Sequence, residues 1–432
     1  MPVRFQFVPG QAPDLLDLPW SIPLEKWHDA RLVQLARGAS RHVVRFVKGA
    51  DDDDRIFALK ETTESLARRE YAALRFLKDD DLPVVDAVGI VTGRQRGAPG
   101  ERSDLPAVLI TRYLDFSLPY RYLFSRTGGG GRPGIEGQLI DAAVVLLCRL
   151  HLEGFYWGDC SLNNVLFRRD AGSLMAYLVD AETTEHHQPL SSGLRQNDVE
   201  LAKENFAGGL LDLQAADRLP SDIDPFATAE QLDLRYESLW KELTDEEHVS
   251  ASDRHEVDRR IRRLNDLGFD VGELVVEHDL DRAELKVRPA LVEEGHHANE
   301  LRRLTGLDVQ ENQARHLLND ISAFRAHLEH RASRDVPLAI AAARWIAEIY
   351  EPAISAVPAD LRSKREPAQL FHWMLMRRYD MADELHREVF NVEALESLMR
   401  DFLPNEPDER LLELPITEEL EIIDQVTNGS PK

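Results

Sequence analysis

Three polar side chains that lie close together in the sequence are of the types that handle phosphate groups. Asp159 is followed by Asn164 and an apolar run, 165–167, and Asp180 comes a short way further on. A carboxylate can accept the proton of a hydroxyl group, and amide and carboxylate oxygens are ligands that suit Mg²⁺. We therefore predict a phosphoryl-transfer site in which Asp159 orients an acceptor hydroxyl, while Asn164 and Asp180 hold the metal.

A buried ion pair is expected upstream of these residues. Ala58 and Lys60 fall on one face of a predicted strand because side chains alternate along a strand. The segment 61–78 has helical periodicity, and its apolar stripe includes Glu70 but not Glu64. A buried glutamate needs a partner, and an ion pair at ~4 Å gains about 4 kcal/mol at an effective dielectric of ~20, before desolvation. We therefore pair Glu70 with Lys60, although a lone lysine more often lies at the surface.

The order of these residues resembles that of the protein-kinase-like superfamily. Within it the chain is similar to the atypical bacterial lipopolysaccharide kinases and to RIO-type kinases, over roughly residues 31–215. The resemblance implies an α+β fold with two lobes, and ATP and Mg²⁺ as cofactors. The order of features along the chain also resembles a bacterial family of unassigned function, in which such a module precedes a mainly helical domain.

The resemblance also implies where the nucleotide would bind. A turn at 38–42 would cover the phosphates with backbone N–H groups, although one glycine in a hairpin turn also has a purely steric explanation. Ala58 would form the roof and Leu166 the floor of the adenine site, and backbone groups of a hinge at 112–115 would pair with the adenine edge. The residues expected to bind the nucleotide are Gly38, Ser40, Ala58, Lys60, Tyr113 and Leu166.

The chain departs from the kinase pattern at three places. Trp157 stands where many relatives carry histidine, so another group must support the backbone of the loop. Ser161 stands where typical protein kinases carry a lysine that touches the transferred phosphate, although RIO-type kinases have serine or threonine there. Asp180 is followed by Ala-Glu rather than Phe-Gly. Asp198 is expected to cap the loop from beneath, with helix N-capping as the alternative.

These departures leave two functions open. The first is an ATP- and Mg²⁺-dependent phosphotransferase with Asp159, Lys60 and Glu70 as its catalytic residues, acting on an unidentified lipid, sugar, protein or small molecule. The second is a nucleotide-binding pseudokinase or ATPase scaffold whose helical domain binds a protein partner. The similarity to lipopolysaccharide kinases favours a glycolipid or sugar acceptor only by analogy.

Breaks in the sequence pattern divide the chain into segments. A Pro-rich arm is expected to pack its tryptophans on the domain behind it, and a Pro-containing break at 220–225 marks the end of the kinase-like part. The predicted segments are the arm, 1–30; the kinase-like domain, 31–215, with lobes at about 31–115 and 116–215; the mainly helical domain, 226–403; and an acidic tail, 404–432. Within the helical domain we predict helix over 227–267, a hairpin within 270–291, and long helices over 338–354 and 367–402 with Trp345, Trp373 and Met374 in their core.

The composition excludes several classes of protein. The 432 residues carry a formal net charge of -25, so we do not expect nucleic-acid binding. The two cysteines, Cys148 and Cys160, give neither a disulfide framework nor zinc-site spacing, which fits a reducing cytoplasm. The longest apolar run, 142–148, is too short to span a bilayer. We therefore expect a soluble, cytoplasmic protein.

Overall fold

Most of the chain is described by a computed structural model. It covers residues 3–9, 15–35, 42–49, 55–96, 103–127, 135–219, 221, 223–244, 247–249, 271–279, 284–291, 295–332 and 334–410. Gly38 and Ser40, most of the glycine-rich loop that follows Arg126 and the tail beyond Arg410 lie outside these residues, so their predicted roles stay predictions.

The N-terminal lobe is built on one antiparallel sheet. Six of the described strands pair in the order β1-β5-β8-β4-β3-β2, and the short strands β6 and β7 pair with each other. The strands are β1 (Arg4–Phe7), β2 (Leu32–Val33), β3 (Val43–Lys48), β4 (Ile56–Thr62), β5 (Ala87–Thr92), β6 (Gln95–Arg96), β7 (Ser103–Asp104) and β8 (Ala107–Arg112).

The two faces of this sheet are covered by different parts of the chain. Helix α1 (Glu64–Asp79) packs on one face, next to the cleft between the lobes. On the other face, Phe57 and Leu59 pack with the buried Trp20 and Trp27 of the arm, as the period of two and the predicted arm packing require. The arm also supplies β1, which extends the sheet beyond β5.

A single buried arginine ties the arm to the sheet. Arg94 donates to Glu61 Oε1 at 2.7 Å, and to the main-chain oxygens of Trp20 at 3.0 Å and Ile22 at 2.6 Å. Its side chain is almost completely buried. Since a buried guanidinium must have all of its charge compensated, this set of acceptors fixes the position of the arm.

The boundary between β4 and α1 differs from the prediction. The predicted helix over 61–78 begins only at Glu64, because Glu61 and Thr62 extend β4 and pair with β8. Thr63 then caps the helix by accepting the N–H of Leu66 at 3.3 Å.

The C-terminal lobe is mainly helical, and a hairpin in it leads away from the predicted catalytic loop. The hairpin packs on helix α3 (Ile135–Leu152), and its side chains Phe167 and Leu178 are buried in the core of the lobe. The elements are β9 (Leu118–Pro119), α2 (Tyr120–Thr127), α3 (Ile135–Leu152), β10 (Phe155–Tyr156), β11 (Val165–Asp170), β12 (Ser173–Leu178), β13 (Glu185–His186), α4 (Ser192–Ala215) and α5 (Pro225–Thr244).

Helix α5 shares the core of this lobe. Leu232, Tyr236 and Leu239 are buried in the cluster that also contains side chains of α3 and α4. The sequence break at 220–225 therefore lies between two helices that pack together. The predicted domain limits stay a prediction, but α5 packs with the kinase-like part of the chain.

The remaining described residues form a small sheet and a helical unit with its own core. The predicted hairpin is present, but the helix predicted up to Leu267 is wrong at Glu247–Val249, which form a strand. The elements are β14 (Glu247–Val249), β15 (Val271–Asp279), β16 (Glu284–Leu291), α6 (His296–Thr305), α7 (Glu311–Ala332), α8 (Leu338–Trp345), a π turn (Ile346–Tyr350), α9 (Glu351–Ala356), α10 (Ala359–Arg362), α11 (Pro367–Leu385), α12 (Asn391–Ser397) and a second π turn (Leu398–Phe402).

The core of the helical unit contains the predicted aromatic and methionine side chains. Trp345 and Met374 are fully buried, and Trp373 is half-buried. The single long helix predicted over 367–402 is wrong, because α11 ends at Leu385 and His386 adopts a left-handed backbone with φ 50°. Among the described residues, no helix is both long and apolar enough to cross a membrane.

Together these parts confirm the predicted fold class. An antiparallel sheet with one helix forms the first lobe, a mainly helical second lobe follows, and a helical unit is appended. This is an α+β, two-lobed protein-kinase-like fold with a mainly helical C-terminal part.

Replacement of Arg94 by methionine should release the arm. It leaves Glu61 and several main-chain oxygens buried without their donor, and breaking a buried ion pair from one side costs about 3–5 kcal/mol. Thermal melting should show a large drop, and chymotrypsin should cut at Trp20 or Trp27. Arg75→Met, which breaks a partly exposed pair with Asp79, is the control and should cost only about 0–1 kcal/mol. Equal melting temperatures for the two variants would contradict this role.

Acid should destabilise the helical unit through a buried histidine. Burial and the neighbouring His316 lower the pKa of His372 to about 4. The folded state therefore binds this proton less readily than the unfolded chain, so stability is lost as the pH falls from about 6.5 to 4, by up to about 3 kcal/mol. We expect the melting temperature of the wild type to fall more steeply over this range than that of His372→Gln. Parallel curves would exclude the effect.

Candidate active site

A lysine ammonium group lies between side chains of the two lobes. Lys60 Nζ, on β4, lies 3.0 Å from Glu70 Oε2 of α1, as the helical stripe predicts. It also lies 2.7 Å from Asp180 Oδ2 and 3.3 Å from Glu182 Oε2, which follow β12. Glu64, the competing candidate, instead pairs with Arg68 at the surface. One positive charge therefore joins both lobes at the cleft.

The charges around Lys60 do not balance. Three carboxylates face one ammonium group, and Glu70 is 1% exposed. Burial, followed by the charge of Asp180, raises the pKa of Glu70 to about 8 even though Lys60 opposes the shift. Burial lowers the pKa of Lys60, but the charges of Glu70 and Asp180 outweigh it and raise this pKa overall. The site thus has an excess of negative charge.

This excess fits a divalent cation. One oxygen atom each of Glu70, Asp180 and Glu182 lies within 4.8 Å of the others. With all three carboxyl groups ionised, the site would carry a charge of −3 + 1 = −2, and the raised pKa of Glu70 reflects its burial together with this imbalance in the absence of a further cation. Hard oxygen donors are what Mg²⁺ prefers. The donor set therefore fits Mg²⁺. Asp180 was predicted for this role, whereas Glu182 was seen in the sequence only as a departure from the kinase pattern.

Two amide side chains, one from the predicted catalytic loop and one from α4, hold Asp159 by both of its carboxylate oxygens. Asn164 Nδ2 donates to Asp159 Oδ2 at 3.0 Å, and Asn205 Nδ2 of α4 donates to Oδ1 at 3.3 Å. A turn of 3-10 helix, Leu162–Asn164, brings Asn164 back towards Asp159. The two amides keep the carboxylate in one orientation, which is what the predicted role of Asp159 as a proton acceptor would require.

Backbone contacts join this loop to Asp180. The N–H of Val179 donates to the carbonyl of Asn164 at 3.0 Å, and Trp157 Nε1 donates to the carbonyl of Asp180 at 3.3 Å. The hairpin β11–β12 thus brings Asp159, Asn164 and Asp180 to the same end of the lobe.

Asp198 supports the loop from beneath, as predicted. Its carboxylate accepts the N–H groups of Trp157 at 2.6 Å and Gly158 at 2.8 Å, and it lies 3.1 Å from His151 Nε2. The alternative role as an N-cap is wrong, because α4 begins at Ser192 and Asp198 lies inside it. Gly158 has a φ of 78°, and a Cβ there would lie 2.9 Å from the ring of Tyr156.

His151 holds the carboxylate of Asp198, which in turn accepts the backbone N–H groups of the loop. Its Nδ1 lies 2.5 Å from the hydroxyl of Tyr236 on α5, and its Nε2 faces Asp198. Burial lowers the pKa of His151, so the neutral ring is favoured. The position of His151 shortly before the loop was a sequence signal for a role in holding it. Its partner Tyr236 could not be identified in this way, because it lies on a helix that we placed in another domain.

The remaining predicted nucleotide residues lie on strands of both lobes or next to them. Ala58 lies in β4 opposite Phe46 and Thr111, and Leu166 lies in β11. The N–H of Tyr113 donates to Ile56 at 2.8 Å, so this group is not available to an adenine. The roles of Ala58, Tyr113 and Leu166 in nucleotide binding stay predictions.

Two further side chains near Lys60 were not identified from the sequence. His42 Nε2, at the start of β3, lies 3.1 Å from Glu182 Oε2. Glu182 therefore contacts both Lys60 and the strand that follows the predicted phosphate-covering turn. This contact joins residues that are far apart in the sequence, so it has no local sequence signal.

A family model described as a domain of unknown function (DUF4032) matches residues 238–403. A solved structure described as "WaaP in complex with acyl carrier protein" is similar at 16% sequence identity and a TM-score of 0.32, covering 54% of this chain and 89% of that chain. No curated protein matches. The matched family region thus excludes Lys60, Glu70, Asp159 and Asp180.

Removal of the Asp198 carboxylate should loosen the catalytic loop. Asp198→Ala leaves the buried N–H groups of Trp157 and Gly158 without an acceptor, at about 1–3 kcal/mol each. We expect a lower melting temperature and faster amide hydrogen exchange at these two residues. Asp212→Ala, at an exposed position of the same helix, is the control and should change neither. Unchanged exchange in Asp198→Ala would show that the loop is held by other groups.

Proposed function

We propose that this chain is an ATP- and Mg²⁺-dependent phosphotransferase that moves the γ-phosphate of ATP to a hydroxyl group of an acceptor. The observation that carries the proposal is the ammonium group of Lys60, which is held by Glu70 of one lobe and Asp180 of the other. A cation fixed between the two lobes is placed to meet the phosphates of a nucleotide bound there.

Each residue of the site has a role in this proposal. Glu70 directs Lys60, which orients the phosphates. Asp180, the member of the carboxylate group that does not belong to the Lys60–Glu70 pair and was predicted as a ligand, would hold the metal together with Asn164, and Glu182 lies beside Asp180. The amide oxygen of Asn164 would be its ligand atom because its nitrogen donates to Asp159. Bound Mg²⁺ would neutralise phosphate charge. Most of the rate would then come from positioning and charge compensation rather than from covalent chemistry.

Asp159 is the residue that meets the acceptor. Its two oxygens accept hydrogen bonds from neutral amides, which orient the carboxylate without neutralising it. An ionised carboxylate in a fixed orientation can align a hydroxyl group and accept its proton. Glycolipids, sugars, proteins and small molecules all offer such a group, so Asp159 alone does not select the class of acceptor.

A nucleotide-binding scaffold or an ATPase is the second candidate. Ser161 lies in the loop where typical protein kinases carry a lysine, and a hydroxyl brings no charge to the transferred phosphate. Slow transfer, or transfer to water, would follow from this difference. A scaffold would bind nucleotide and show neither phosphate release nor transfer.

The phosphotransferase proposal predicts the loss of ATP turnover in two variants. Asp159→Asn removes the proton acceptor and Asp180→Ala removes a metal ligand, and each should lower phosphate transfer or release by at least about a hundredfold. Labelled ATP with fractionated lysate is the assay for transfer, and free phosphate is measured in parallel.

Two further variants make this experiment specific. Glu185→Gln, an exposed carboxylate near Asp180, is the control and should keep full turnover. Glu182→Gln tests the neighbouring carboxylate, which should affect metal dependence more than nucleotide affinity. Equal rates in the wild type, Asp159→Asn and Asp180→Ala would remove the catalytic assignment. A nucleotide-dependent rise in melting temperature without turnover would favour the scaffold.

A further inference from the structure

The last three residues of β11 all contact the appended helical unit. Arg168 pairs with Glu366 at the start of α11. Arg169 Nη2 lies 2.8 Å from Glu409 Oε1. The next residue, Asp170, accepts hydrogen bonds from α7, as described below. Three consecutive side chains of one strand thus reach three different segments of the helical unit.

Asp170 acts as a cap for a helix of the other unit. Its carboxylate accepts the N–H of Gln313 at 2.8 Å and the N–H of Asn312 at 3.2 Å, in the first turn of α7. The first N–H groups of a helix have no partner within it and favour a negative charge. Asp170 is buried, with 3% of its surface exposed. Helix α7 therefore begins in contact with the end of β11, and its cap depends on that contact.

The same arrangement continues into the helical unit. Glu311, the first residue of α7, accepts the N–H groups of His297 at 3.0 Å and Ala298 at 3.1 Å, at the start of α6. Asp170 thus caps α7, and the first residue of α7 caps α6. This series of carboxylates connects the strand rigidly to two helices.

These contacts act on the strand that leaves the catalytic loop. β11 begins at Val165, directly after Asn164, and is only six residues long. Its apolar side chains, such as Phe167, already pack in the core of the lobe. The charged end of the strand is therefore not needed to bury that core, and its contacts serve to fix the strand to the helical unit.

A second contact reaches the region of the hinge. The N–H of Phe116 donates to the carbonyl of Arg410 at 3.5 Å, and the N–H of Arg410 donates to Ser363 at 2.9 Å. The helical unit is therefore connected to two positions that flank the cleft, the exit of the catalytic loop and the segment that follows the hinge.

We propose that the helical unit, residues 295–410, is an intramolecular clamp that fixes the catalytic loop through β11. Arg168, Arg169 and Asp170 are positioning residues in this clamp. The order of the loop does not depend on which reaction the site performs; only the effect of the clamp on turnover rests on the proposed function. The matched domain of unknown function would then act on the site although it contributes none of the predicted site residues.

Charge reversal in the full chain tests the clamp. Arg168→Glu and Glu366→Arg each place two like charges together, whereas the double variant restores an opposite pair. Hydrogen exchange of the peptide 159–166 should become about tenfold faster in each single variant and return to within about twofold of the wild type in the double variant. Arg344→Glu, which breaks an exposed pair with Glu348, is the control and should leave exchange in this peptide unchanged.

If charge reversal prevents folding, a milder variant can be used to test the clamp in the same way. Gln313→Ala removes a neutral amide that donates to the carbonyl of Arg169 at 3.0 Å, and it adds no charge. It should also accelerate exchange in the loop. Wild-type exchange in this variant and in the folded single variants, or no rescue in the double variant, would overturn the clamp.

Turnover separates this proposal from the proposed function. If the wild type transfers or releases phosphate, the single variants should lower kcat by about tenfold while KM for ATP changes less than about twofold, because Lys60 lies on the other lobe. A merely less stable protein would lose active molecules without changing loop exchange in those that are folded. If the wild type shows no turnover while hydrogen exchange of the loop responds to the variants as expected, the clamp is supported and the phosphotransferase proposal is overturned.

Discussion

One ammonium group shared among three carboxylates is the constraint on which the rest of this structure depends. Lys60 can reach Glu70 only because β4 directs it towards α1, and it can reach Asp180 only when the second lobe lies against the first. The three acids repel each other in a partly buried site, so the lysine must stay between them or be replaced by another cation. The cleft therefore has a built-in demand for positive charge.

The loop that carries Asp159 depends on a different principle, which is the cost of leaving buried N–H groups without a partner. Asp198 accepts two of them from a position on α4, and His151 and Tyr236 hold Asp198 in turn. Since α5 supplies Tyr236, a helix beyond the sequence break still contributes to the geometry of the loop. His151 thus holds the carboxylate that accepts the N–H group of Trp157.

Local periodicity predicted much of this site, whereas contacts between distant segments could not be predicted. The pairing of Lys60 with Glu70 follows from a strand of period two and a helix of period 3.6, because both patterns place side chains on defined faces. Glu182 and the contact of Asp170 with α7 have no such signal, since they depend on how whole units pack. The end of α11 at Leu385 was missed because a residue other than glycine adopts the left-handed backbone there.

The strand supplied by the arm has a consequence for how the protein behaves at high concentration. β1 pairs with residues 89–92 of β5, a strand whose residues are all buried, and β2 on the opposite side of the sheet is only two residues long. Deletion of residues 3–9 would bare an apolar edge with unsatisfied main-chain groups, which is a template for strand exchange between molecules. The arm therefore protects the fold against aggregation as well as stabilising it.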